Sequence, residues 1–114
     1  QFGKEPGEVK RDIAGFVVNR ILIAAALEAV RVLEAGVADA AAIDEAMRLG
    51  CGYKMGPLET MDLSGIDVFV HAADAIYEDT GDPKYKSPAL LTRMLAAGHL
   101  GRKSGRGFYS YPKA

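Results

Sequence analysis

The chain has no tryptophan, one cysteine, two histidines and no surplus of positive charge. The last three of these shortages each narrow the possible chemistry. A lone Cys51 forbids an intramolecular disulfide, which suits a reducing cytoplasm. His71 and His99 stand without a cysteine or carboxylate at ligand spacing, which argues against a metal site. With 14 basic residues against 15 acidic ones, the formal charge is −1. That balance argues against broad electrostatic binding to nucleic acid or to an anionic membrane. The longest apolar run, Ile21 to Leu27, falls far short of the roughly 20 residues that cross a bilayer. The polar start, Gln1 to Arg11, has the marks of neither a signal peptide nor a transit sequence. With no initiator methionine, the expectation is a piece of a longer or processed protein.

What is present is the mix of a globular domain: 114 residues, 49% hydrophobic and 25% charged, enough for one core. Gly3 to Asp12 is charged and broken by Gly3, Pro6 and Gly7, and reads as linker. From Ala14 to Glu34 the pattern is helical, with apolar residues on nearly every side of the cylinder. A helix apolar all round is buried on more than one face. A bundle this small has little with which to cover it, so the leftover surface calls for a second copy or another domain.

Gly36 suits a helix stop. Asp39 can cap a second helix carrying Ile43, Ala46 and Met47 inward as far as Gly50. A glycine-rich connector, GCGYKMGP, leads to Pro57, which fits the first turn of a short helix through Asp62. Asp67 can cap a fourth helix to about Asp79, with Phe69, Ala72, Ala73, Ile76 and Tyr77 as its stripe. After a turn at Gly81-Asp82-Pro83, Ser87-Pro88 opens a last helix with Leu91, Met94 and Leu95 inward and Gly98 as stop. The tail is a glycine-rich basic loop followed by an extended aromatic piece. Five helical patterns and no convincing strand give an all-α helical bundle.

Two nucleotide motifs are only partial. Gly50-Cys51-Gly52 follows a helix rather than a strand, and Gly56 comes one residue late for a dinucleotide fingerprint. Gly98 and Gly101 are too close together for a phosphate loop. Cys51 has no base signalled nearby, His71 sits beside an apolar stripe as a core or interface histidine, and Glu59 and Asp62 read as solvated or capping carboxylates. Asn19 is different, because it lies in the most apolar stretch of the chain. A buried amide without a partner costs a few kcal/mol. It therefore either bonds a neighbouring helix or orients a ligand carbonyl.

Three blocks, DIAGFVVNRIL, LGCGYKMGPLETMDLSGID and YKSPALLTRMLAAGHLGRKSGRGFYSY, together resemble the C-terminal domain of the 3-hydroxyacyl-CoA dehydrogenase family. Bacterial 3-hydroxybutyryl-CoA dehydrogenases are the nearest subgroup, and the likeness runs from about Gly3 to Tyr111. It implies a helical bundle of the 6-phosphogluconate dehydrogenase C-terminal-like type, lacking its Rossmann domain. Residues 1–12 would be interdomain linker, and 13–114 a substrate-binding and dimerisation domain.

In such enzymes a separate N-terminal Rossmann domain binds NAD and supplies a His–Glu pair. The histidine takes the proton of the 3-hydroxyl while hydride passes to the nicotinamide, a step of fatty acid β-oxidation. The helical domain closes over acyl-CoA and forms the homodimer. The resemblance implies a substrate-orienting role for Asn19 and an acyl-pocket border at Met55, Gly56 and Pro57, with packing roles for Phe108 and Tyr109. It implies no cofactor-binding or metal-binding residue in this chain, so neither NAD binding nor turnover is expected of it alone. Two competitors remain: a stand-alone dimeric scaffold without catalysis, and a phosphate-recognition patch at Arg102, Lys103 and Arg106.

Overall fold

Among the described residues, helical periodicity and its punctuation fold into five α-helices. The computed structural model describes the backbone of residues 7–112 and side-chain surroundings from Phe16 onward. The helices are α1 (Gly7–Glu34), α2 (Ala40–Cys51), α3 (Pro57–Ser64), α4 (Ile66–Thr80) and α5 (Ala89–Ala96). Single 3-10 turns occupy Pro83–Tyr85 and Arg102–Ser104. Among the described residues there is no strand. The tail makes only isolated antiparallel bridges, Gly101 with Arg106 and Arg106 with Ser110.

Helix α1 starts at Gly7 rather than Ala14. Of the expected linker, residues 1–6 lie outside the described residues, while 7–12 are the first turns of the helix. The breakers Pro6 and Gly7 come just ahead of Glu8, Lys10 and Arg11, which are good helix formers. At about 1.5 Å per residue, the 28-residue helix is roughly 42 Å long.

Its two halves have different surroundings. Ile23, Ala26, Leu27 and Val30, spaced to share one face, are buried. This half is the axis of the bundle and packs against α2, α3, α4 and α5. Leu58, Met61, Ile66, Ala73 and Leu91 close around it, each fully buried, and burial of such side chains contributes about 1.5–3 kcal/mol apiece for the larger ones. The other half leaves Phe16, Val17, Val18, Ile21 and Leu22 exposed, Ile21 at 66%. The bundle thus hides only part of its longest helix.

Asp39 caps α2, accepting the Ala42 N–H at 2.8 Å. Asp67 does not cap α4: that place falls to Gly65, whose φ of 111° few other residues adopt. Asp67 lies inside the first turn and pairs with Lys103 at 2.8 Å.

Candidate functional site

The site is built on two buried carboxylates. Asp44 on α2 is 1% exposed and faces the start of α3. Its oxygens accept the N–H groups of Leu58 at 2.8 Å and Glu59 at 3.1 Å, capping from a neighbouring helix an end that Gly56 leaves without a side-chain cap. The Tyr109 hydroxyl donates a third bond to Asp44 at 2.5 Å. Asp62 on α3, also 1% exposed, accepts the N–H groups of Phe108 and Tyr109 at 3.0 and 3.1 Å and the Tyr111 hydroxyl at 2.6 Å. A buried ion costs several kcal/mol unless its lone pairs are filled, and three donors each offset that cost. Burial first, and the adjoining carboxylate second, push the hydroxyls of Tyr109 and Tyr111 above the ordinary tyrosine range.

These acids explain the glycine motifs. A Cβ at Gly56 would lie 2.3 Å from Asp44, and one at Gly107 would lie 2.1 Å from an Asp62 oxygen. The Met55-Gly56-Pro57 turn sits directly on Asp44. Asp62 is therefore a buried anchor for the tail, not a solvated surface group. Glu59 is the solvated partner of the two, paired with Arg48 at 2.7 Å.

Met55 and Pro57 line a cavity of about 330 Å³ against Leu22 and Ala26 of α1 and Phe69 of α4. Gly56 is buried beneath it. Asn19 opens into a neighbouring groove with Phe16 of α1 and Ala72, Ile76 and Asp79 of α4. Asn19 and Leu22 are three residues apart on α1, and Phe69 and Ala72 three apart on α4, so the linings of the two hollows follow one another along the α1–α4 seam. The Asn19 amide is exposed in the chain by itself. That removes the buried helix–helix bond as its explanation. His71 is exposed on α4 and is not a core histidine, and Cys51 is a free exposed thiol.

The seam offers an apolar floor and an amide that can donate to an oxygen. Its ionisable lining groups are Asp79, Tyr53 and Lys54. Neither a histidine nor a cysteine lines the two hollows. Among the described residues no group of three His, Cys, Asp or Glu side chains could hold a metal, and no helix is long and apolar enough to cross a membrane. Phe108 and Tyr109 pack against the core, the place expected of them. Sequence reading alone passed over Asp44. The one signal for it was a glycine, Gly56, that no turn of positive φ requires.

The described residues thus form an all-α bundle with an amide-bearing apolar seam and a tail pinned by buried acids. The family model for the C-terminal domain of 3-hydroxyacyl-CoA dehydrogenase matches residues 15–111, and the chain belongs to that family. It is 47% identical over 100 residues to a 3-hydroxybutyryl-CoA dehydrogenase of Mycobacterium tuberculosis, covering 88% of this chain and 35% of that protein. To the mitochondrial hydroxyacyl-coenzyme A dehydrogenase of Sus scrofa it is 41% identical over 110 residues, covering 96% and 35%. The crystal structure of (S)-3-hydroxybutyryl-CoA dehydrogenase PaaH1 from Ralstonia eutropha is similar with a TM-score of 0.82 at 46% identity, over 85% of this chain and 34% of that one. The chain spans little more than a third of the length of these relatives.

NAD does not fit the glycines found here. Gly52, at φ 71°, closes α2 by donating its N–H to the Met47 carbonyl, and Gly56 is packed on Asp44. Neither leaves a free cradle of amides for a pyrophosphate.

Proposed function

We propose that this domain forms the acyl-CoA-facing wall and the subunit contact of an NAD-dependent 3-hydroxyacyl-CoA dehydrogenase. The complete enzyme oxidises the 3-hydroxyl of an acyl-CoA to a 3-ketone in cytoplasmic fatty acid metabolism. In this reading residues 1–12 lead from a nucleotide-binding domain that holds NAD and the His–Glu pair. Residues 13–114 bind, orient and exclude water.

The observation that carries the reading is the exposed apolar half of α1, with Asn19 set among Phe16, Val17, Val18 and Ile21. Exposed apolar side chains gathered on one helix end mark a surface that is covered in the working protein. Covering it leaves the Asn19 amide at a seam, where it donates to the substrate's oxygen. Met55 and Pro57 wall the acyl chain, and Gly56 lets their turn lie flat on Asp44. The names of the relatives supply the substrate class. A second copy of the chain takes the rest of the apolar surface, giving a homodimer.

The test is Asn19→Ala in the full-length enzyme. Turnover of a 3-hydroxyacyl-CoA should fall at least tenfold, about 1.4 kcal/mol of transition-state stabilisation. Unchanged kinetics would refute the role of Asn19. The scaffold alternative falls if the coding sequence upstream of Gln1 encodes a dinucleotide fingerprint and a His–Glu block.

A further inference from the structure

Asp44 is the point where three parts of the chain meet. It lies on α2, caps α3 through Leu58 and Glu59, and takes the Tyr109 hydroxyl from the tail. The turn just ahead of the capped end is Met55-Gly56-Pro57, and there is no spare space between that turn and the carboxylate, since a Cβ at Gly56 would lie 2.3 Å from Asp44. Met55 and Pro57 line the cavity against α1. The height of that wall is therefore fixed by how Asp44 is held, and Tyr109 is one of the groups that hold it.

We infer that Asp44 is a positioning residue for acyl-CoA, and that Tyr109 in the tail sets acyl-CoA affinity through it. This rests on the reading of the seam as the acyl site. The carboxylate never touches the substrate. It aims the turn that does. Because the wall meets the acyl portion rather than the reacting carbon, its displacement weakens ground state and transition state alike, which raises KM and spares kcat.

The experiment compares Tyr109→Phe and Asp44→Asn in the full-length enzyme, well below the melting temperature of each. Tyr109→Phe keeps the ring and removes one oxygen, so it carries the test where Asp44→Asn fails to fold. The expected result is a five- to tenfold rise in KM for a 3-hydroxyacyl-CoA with less than a twofold change in kcat. The Leu58 and Glu59 amides should also exchange faster with solvent. A purely structural tie would lower the melting temperature and leave KM unmoved, and that outcome overturns the inference. So does an unchanged exchange rate at Leu58 and Glu59. A wild-type enzyme that neither binds nor oxidises acyl-CoA overturns the reading of the site and this role with it, whereas an active wild type with an unmoved KM in the variants overturns this role alone.

Discussion

The hydroxyl of Tyr109 lies 2.5 Å from the carboxylate of Asp44, although 65 residues separate them in the chain. That bond joins the tail to the seam between α2 and α3, and the carboxylate it holds leaves no room for a side chain at Gly56.

Two glycine substitutions should therefore act in opposite directions. Gly56→Ala drives a methyl group into Asp44, 2.3 Å away. Overpacking of this kind costs about 1–3 kcal/mol. Gly50, inside α2 with nothing within 4 Å of its would-be Cβ, has no such neighbour. Gly50→Ala should stabilise by about 0.4–1 kcal/mol through a less flexible unfolded chain. Urea unfolding of the two variants reads both signs, and equal effects would contradict the packing described at Asp44.

Stability should fall in alkali. The folded chain holds the Tyr109 and Tyr111 protons more tightly than the unfolded chain does. The stabilisation is whole below the ordinary tyrosine pKa of about 10 and is lost as pH rises past it toward the raised folded values. Melting temperature should decline above about pH 10, and the Tyr109→Phe, Tyr111→Phe double variant should lose much of that decline. Phenolate absorbance followed in the same titration should show the late-ionising portion vanish in the double variant.

Arg20, which follows Asn19 in the chain, is tied to Tyr85. The Arg20 Nε donates to the Tyr85 hydroxyl at 3.2 Å, and the Tyr85 ring is 2% exposed. Tyr85→Phe should cost about 1–2 kcal/mol, the loss of that bond and of the weaker one the hydroxyl donates to the Arg20 carbonyl at 3.4 Å. Tyr85→Ala should cost about 3–5 kcal/mol, because a ring-sized cavity opens. Thermal melts separate the two, and similar losses would mean that the hydroxyl rather than the ring holds α1 to the 3-10 turn.

The exposed end of α1 gives a test of assembly. Val18 and Ile21 are 61% and 66% exposed. Light scattering should find dimers, and Val18→Lys with Ile21→Lys should yield monomers with unchanged helical circular dichroism. A wild-type monomer would count against α1 as the subunit contact.

Much of the bundle was legible in the sequence because its signals are local. Asp39 stands one residue before an apolar stripe and caps it, and Pro57 occupies the first turn of α3. Asp67 sits where a cap would also be expected, yet α4 begins at Ile66 because the Gly65 backbone already turns the chain. The half-covered state of α1 follows from counting apolar sides against the size of the domain. The acids were hidden for a different reason. Nothing near Asp44 or Asp62 shows that partners 46 to 65 residues away will bury them. Periodicity reports which face of a helix turns inward, not which distant hydroxyl meets it there. Asn19 stood out by its apolar neighbours, but its exposure depends on how far α1 runs past the bundle.

The order of the chain carries a consequence for how the domain assembles on the ribosome. Asp44 and Asp62 are made before Phe108, Tyr109 and Tyr111, which complete their bonding. Until those residues emerge, Asp44 has only the Leu58 and Glu59 N–H groups, and Asp62 lacks all three of its tail donors. The full set of donors on both acids therefore forms only after the tail has been synthesised.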